Sequence, residues 1–236
     1  MKTLKDIITR EEEYDIDIDH SEPVDPLESA SRKLMCIVTA FELLAGQGKS
    51  SLFFSVSFGE LTSHTRSAGE ALNIDLSEFV TLLYANLMSL TLASGQIESI
   101  KSDRSGNTNN VTDLLFRALD LVFTSRSSAS VSADPPWRAA AFAKRLLSAC
   151  LHWSTTHAIL RSLELVKSMV VRDHKVEAML STEDRMSNGV YRPDVDDPQL
   201  CQPFETVFWE LHLLRKQHWD PKVREEAEKL LRYSST

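Results

Sequence analysis

Cysteine, glycine and proline are scarce in this 236-residue chain, which holds three, seven and eight of them. The cysteines, Cys36, Cys150 and Cys201, are odd in number and far apart. They offer no disulfide framework and read as reduced thiols of an intracellular protein. No apolar run reaches the roughly 18 residues a membrane helix needs, so no span is predicted. The opening Met1-Lys2-Thr3-Leu4-Lys5-Asp6 lacks an apolar core of secretory type. Positive charge is also in deficit: 26 basic against 34 acidic residues give a formal charge of −8. Whole-chain electrostatics therefore do not draw the protein onto nucleic acid. What is present, 42% apolar and 25% charged residues, suffices for a sizeable core and excludes wholesale disorder.

Most apolar stretches have helical spacing. Leu34, Ile37, Val38, Phe41, Leu44 and Ala45 fall on one helix face, and Gly46 supplies a stop. Asp75-Leu76-Ser77-Glu78 has the form of a capping box, opening a run through Leu92 that is apolar on most sides and so deeply buried. Leu114, Ala118, Leu121 and Val122 mark a third helix. Asp134-Pro135-Pro136 reads as a cap with proline in the first turn, starting a helix that carries Phe142, Leu146, Ala149, Cys150 and Trp153. Ser154 is placed to cap the next, with Ile159, Leu163, Val166 and Val170 on one face. Phe204, Val207, Phe208, Leu211 and Leu214 form a further stripe. Asp220-Pro221 caps the last helix, striped by Val223, Ala227, Leu230 and Leu231. Glu225–Lys229 and Glu228–Arg232 are i,i+4 pairs in the favourable order. With only Trp219 and Asp220 between them, the last two helices should fold back as a hairpin. The predicted fold is all-α: stacked antiparallel helical hairpins, an armadillo/HEAT-like solenoid fragment without a clean sequence repeat.

Four stretches read as irregular: the acidic Glu11–Glu28, the polar Ser99–Asn110, the serine-rich Ser125–Asp134, and Ser181–Gln202. The last is too long for a turn and is either a functional crossing or a mobile loop. Residues 1–30 are thus expected to form an N-terminal helix and acidic linker, and 31–236 a helical domain with an irregular insertion at 49–69 and a long loop at 181–202.

The chemical constellations in the chain fall short of known sites. Gly48-Lys49-Ser50 resembles the end of a phosphate loop, the one route to a nucleotide hydrolase. Yet Leu43 stands where the first glycine belongs, and a helix precedes it instead of a strand. Cys201, His212 and His218 lack the ligand number and spacing of a zinc site. Asp194, Asp196 and Asp197 lack the glycine and closing glutamate of a calcium loop. No Cys-His or Ser-His-Asp arrangement has a supporting motif; His152 and His157 flank a helix junction. No catalytic, cofactor-binding or metal-binding set is expected, and the chain reads as non-enzymatic. Arg215, Lys216, Lys222, Arg224, Lys229 and Arg232 interleave with Glu225, Glu226 and Glu228 as a solvated face. Trp209 and Trp219 are expected as core anchors, with an interface role as the alternative. If they are buried, Trp209→Ala and Leu211→Ala should each cost about 2–5 kcal/mol. The aromatic run Phe53–Phe58 is strand-like in a helical chain.

The stretch Phe208-Trp209-Glu210-Leu211-His212-Leu213-Leu214-Arg215-Lys216-Gln217-His218-Trp219-Asp220-Pro221-Lys222-Val223 resembles the signature of the CCAAT-binding-factor (CBF) domain family. There a Trp-Glu-Leu helix runs into a His-aromatic-x-Pro turn and a last helix. Cys36–Phe41 with Gly46-Gln47-Gly48, Glu70–Asp75, Ala140–Leu146 and Gly189–Asp194 through Asp197-Pro198 fit as well. Members are several times longer with lysine-rich N-terminal regions, so the resemblance implies an N-terminally truncated member. It also implies that Lys49–Gly69, absent from the family, is a retained intron translated in frame or a lineage-specific insertion.

The implied work is non-catalytic: a scaffold of the nucleus and nucleolus in ribosome biogenesis and rRNA processing. Its implied partners are a sister nucleolar complex protein, the pre-60S particle and rRNA, with no membrane. A second implied role is DNA replication initiation, with the origin recognition complex and helicase-loading proteins. Trp209, Glu210, Leu211, Arg215, His218, Trp219 and Pro221 are the implied motif and partner-contact residues.

Overall fold

The computed structural model describes residues 26–45, 77–92, 111–123, 135–181 and 189–233. These residues form eight α-helices and two short 3-10 turns, with no strand among them. The helices are α1 (Pro26–Ala45), α2 (Ser77–Leu92), α3 (Val111–Phe123), α4 (Pro136–Cys150), α5 (Thr156–Arg172), α6 (His174–Glu177), α7 (Trp209–Gln217) and α8 (Pro221–Leu231). The all-α, solenoid-like architecture is as expected. Helix α1 packs on α2 and α3, α2 on α4, α4 on α5, α5 on α8, and α8 on α7.

The pattern of side chains explains the stack. Leu34, Ile37 and Phe41 of α1 are buried, and so are Phe79, Leu83, Leu87 and Leu90 of α2. Central α4 is lined by Ala140, Ala141, Ala143 and Ala149, each 0% exposed, so neighbours approach it closely from several sides. Phe142 lies at the middle, its ring centroid 5.2 Å from those of Tyr84 and Phe123. Polar ties supplement packing: buried Asn86 donates to the Ala30 carbonyl of α1 at 3.0 Å. Arg172 reaches the Phe123 carbonyl at the end of α3 at 2.6 Å, the favourable place for a cation.

Several boundaries differ from the sequence reading. Helix α1 starts at Pro26, inside the stretch expected to be irregular, because proline fits a first helical turn. Pro135 is the N-cap of α4, and Thr155, not Ser154, precedes α5, without a side-chain capping bond. The stripe begun at Phe204 is not one helix. Pro203–Glu205 is a 3-10 turn entered from Gln202 at φ 52°, Thr206 is extended, and α7 starts only at Trp209. Asp220 caps α8 as expected, accepting from the Lys222 amide at 2.8 Å. The pairs Glu225–Lys229 and Glu228–Arg232 close at 2.9 and 2.7 Å. The insertion at 49–69 with Lys49 and Phe53–Phe58, Asp75, and the Ser99–Asn110 and Ser125–Asp134 links lie outside the described residues.

Candidate functional site

The chain concentrates its unusual chemistry where α4 meets α7. Lys144 and Ser148, one turn apart on α4, face Glu210 in the first turn of α7. Lys144 Nζ donates to Glu210 Oε2 at 2.8 Å and to the Val207 carbonyl at 2.6 Å. Ser148 Oγ donates to Glu210 Oε1 at 3.0 Å. Both charged side chains are 0% exposed. The ammonium also lies over two rings, 4.9 Å from that of Trp209 and 5.6 Å from that of Tyr191. Burial pushes the Glu210 carboxyl up and the Lys144 amine down, each shift opposed by the partner's charge. Such a pair contributes less to net stability than to specificity, since desolvation offsets much of the attraction; losing one partner, however, strands the other.

The adjacent residue turns a quarter circle round α4 and does a different job. Arg145, 2% exposed, sends Nη1 to the Tyr84 carbonyl (2.8 Å) and to Asp196 Oδ1 (3.0 Å). Its Nη2 reaches the Pro193 and Val195 carbonyls, both at 2.9 Å. The guanidinium lies 3.7 Å from the Tyr84 ring centroid. One planar fork therefore ties α2, α4 and the 189–202 segment, a geometry lysine cannot reproduce. The segment is further closed by Arg192 N to Cys201 O (2.9 Å) and by the Gly189 amide to Glu205 Oε2 (2.9 Å). Asp197 accepts from Gln199 N at 2.7 Å. Residues 189–202 are thus tied to α2 and α4 through Arg145; 182–188 lie outside the described residues.

The residues implied by the family resemblance divide by burial. Glu210 and Leu211 are fully buried. Trp209 is 45% and Trp219 69% exposed, which corrects the expectation that both are core anchors. Trp209 opens α7 with its ring on the Lys144 ammonium and nearly half of its surface in solvent. Trp219 sits in the three-residue turn His218–Asp220, against the His218 ring at 5.6 Å. His218 Nδ1 accepts from the Asp220 amide at 3.1 Å, and Arg224 donates to the His218 carbonyl at 2.9 Å. Thr156 Oγ1 holds Asp220 Oδ2 at 3.0 Å, binding the turn to the start of α5. Arg215 is half-buried and Pro221 exposed. Leu211→Ala is therefore expected to cost about 2–5 kcal/mol, for lost burial plus a cavity. Trp209→Ala is expected to cost about 1 kcal/mol, chiefly its cation–π contact. Urea denaturation of both variants checks the order.

The two buried cysteines are not poised for bond chemistry. Cys150 is buried and its thiol is pushed up to about 12 by burial. Cys201 is also buried and raised, donating to the Pro198 carbonyl at 3.4 Å; neither is a ready nucleophile. Among the described residues no cluster of three or more His, Cys, Asp or Glu side chains is placed to hold a metal. No described helix is long and apolar enough to cross a membrane. Leu43 lies in α1, so helical backbone leads towards Gly48-Lys49-Ser50 in place of the strand a phosphate loop requires. Sequence reasoning passed over Lys144 and Arg145. The available signal was two adjacent bases in the 139–147 stretch, otherwise alanine, phenylalanine and leucine, of a helix that carries no acid of its own.

A helical stack is closed by a Trp-Glu-Leu hairpin that a fully buried ion pair ties to α4, which defines an all-α packing module. The chain belongs to the CBF/Mak21 family, whose model matches residues 33–227. It is similar to the human nucleolar complex protein 3 homolog, 30% identical over 203 residues that cover 86% of this chain and 20% of the relative. The nucleolar complex-associated protein 3 of Schizosaccharomyces pombe is 25% identical over 220 residues, 89% of this chain and 26% of that one. Its Saccharomyces cerevisiae counterpart is 29% identical over 213 residues, 84% and 28%. The chain thus spans 20–28% of the length of these relatives. Their names describe members of a complex and not an enzyme.

Proposed function

We propose that this chain is a non-catalytic scaffold of the nucleolus that takes part in assembly and export of the large ribosomal subunit. In this reading it pairs with a sister nucleolar complex protein and travels on pre-60S particles with their rRNA. The observation that carries the reading is the similarity of most of the chain to nucleolar complex protein 3 relatives, with the family model matching through residue 227 in the hairpin. Physical support comes from the use of the buried charges. Lys144, Arg145 and Glu210 serve packing, while Trp209 and Trp219 stay outside, as hot-spot residues for a partner would. An α-helical stack offers long surfaces for partner helices.

The test is affinity purification of the tagged full chain from nuclear extract, with sequencing of bound RNA and identification of bound proteins. Large-subunit precursor rRNA and the sister protein should be enriched together. Recovery of neither, with G1 chromatin and origin recognition proteins bound instead, would assign the chain to replication initiation.

A further inference from the structure

Three of the large hydrophobic side chains left in solvent, Val190 (74% exposed), Leu200 (60%) and Trp209 (45%), flank one buried cluster formed by Tyr191, Cys201 and Lys144. Their proximity follows from contacts beneath them. The Arg192 amide bonds the Cys201 carbonyl, so the backbone meets itself at 192 and 201. Tyr191 and Cys201 point inward: the Tyr191 ring lies 5.6 Å from Lys144 Nζ, and Cys201 is 0% exposed. Val190 and Leu200, the residues before each, are left outside. The Trp209 ring rests on the same ammonium, 4.9 Å away. Arg145 holds the carbonyls of Pro193 and Val195, so the surface is anchored to the core and preformed.

The rim has one sign of charge. Residues 189–209 carry Asp194, Asp196, Asp197 and Glu205 against a single base, Arg192. The chain as a whole is at −8. A nucleic-acid backbone is repelled by such a rim, whereas an apolar stripe flanked by Lys or Arg is complementary in both shape of chemistry and sign.

We propose that Val190, Leu200 and the outer face of Trp209 form a docking surface for a basic amphipathic helix of a partner protein. This deepens the scaffold reading and rests on it for the kind of partner.

The probe is a labelled synthetic helix of about 18 residues, long enough to hold helical structure, with leucines on one face and lysines on the other. Its twin has glutamate at every lysine position. Binding to the purified full chain is read by fluorescence anisotropy. The lysine peptide should bind and the glutamate twin should not. The double variant Val190→Ser/Leu200→Ser should weaken binding about tenfold or more, the equivalent of about 1.4 kcal/mol, with its thermal melt unchanged because both positions are exposed. No binding of the lysine peptide, equal binding of the twin, or an unaltered affinity in the double variant overturns the proposal. Binding of a poly-uridine strand that the double variant weakens equally would reassign the surface to nucleic acid. The purification described above separates the two readings. If wild type and double variant both recover the sister protein and precursor rRNA equally, the scaffold stands and the docking surface fails. If wild type recovers neither, the scaffold reading itself fails.

Discussion

Glu210→Ala is expected to destabilise the fold by about 3–5 kcal/mol, because it leaves Lys144 charged, fully buried and without its counter-ion. The ammonium keeps only the Val207 carbonyl and the faces of Trp209 and Tyr191. Ser148 loses its acceptor on α7 as well and is left with the Lys144 carbonyl. Lys144→Met alone should cost a similar amount, since the stranded group is then Glu210. The double variant Lys144→Met/Glu210→Leu should recover most of the loss. It removes both charges and refills the volume, and the Val207 carbonyl keeps the Trp209 amide at 2.9 Å, so the remaining cost should be about 1 kcal/mol, that of one lost hydrogen bond. Denaturant melts of the four proteins form a double-mutant cycle. Strong non-additivity is the expected result, as for any two residues in direct contact. Additive single effects would mean that α4 and α7 are not joined through this pair.

Arg145→Lys is the second large effect, and its expected signature is regional. One ammonium can satisfy at most three of the acceptors now served by the guanidinium, and it lacks the planar face that lies 3.7 Å from the Tyr84 ring centroid. Orphaning one or two buried carbonyls predicts a loss of about 2–4 kcal/mol. More diagnostic is where the loss appears. The 189–202 segment should become cleavable by protease at enzyme levels that spare wild type, while α7 and α8 keep their protection. Uniform loosening of the whole molecule would show that the arginine does not act as a local tie.

Much of the stack was legible because burial follows period. Leu34, Ile37, Val38 and Phe41 on α1 and Phe79, Val80, Leu83, Leu87 and Leu90 on α2 are buried as their spacing required. Asp220-Pro221 caps α8 because an aspartate followed by proline suits a first turn in almost any context. What was not legible depends on tertiary partners. Phe204 and Phe208 have helical spacing, yet the left-handed Gln202 and the following Pro203 break the backbone before α7. Trp209 and Trp219 looked like core by composition; their exposure is decided by what packs on α7, which periodicity does not encode. Lys144 and Arg145 read as ordinary basic residues because their partners, Glu210 and the 193–196 backbone, lie 48–66 positions away. The family resemblance marked Glu210 as part of a motif but not as the acceptor of a buried ion pair.

The Trp-Glu-Leu hairpin is locked into the stack from the inside by Lys144 and Glu210, while Trp209 and Trp219 face solvent. Native-state hydrogen exchange on the full chain addresses this lock most directly. The Leu211–Leu214 amides should exchange only through global unfolding in wild type, at the same free energy as those of α4, and through local opening in Glu210→Ala. Fast exchange of these amides in wild type, with α4 still protected, would contradict it.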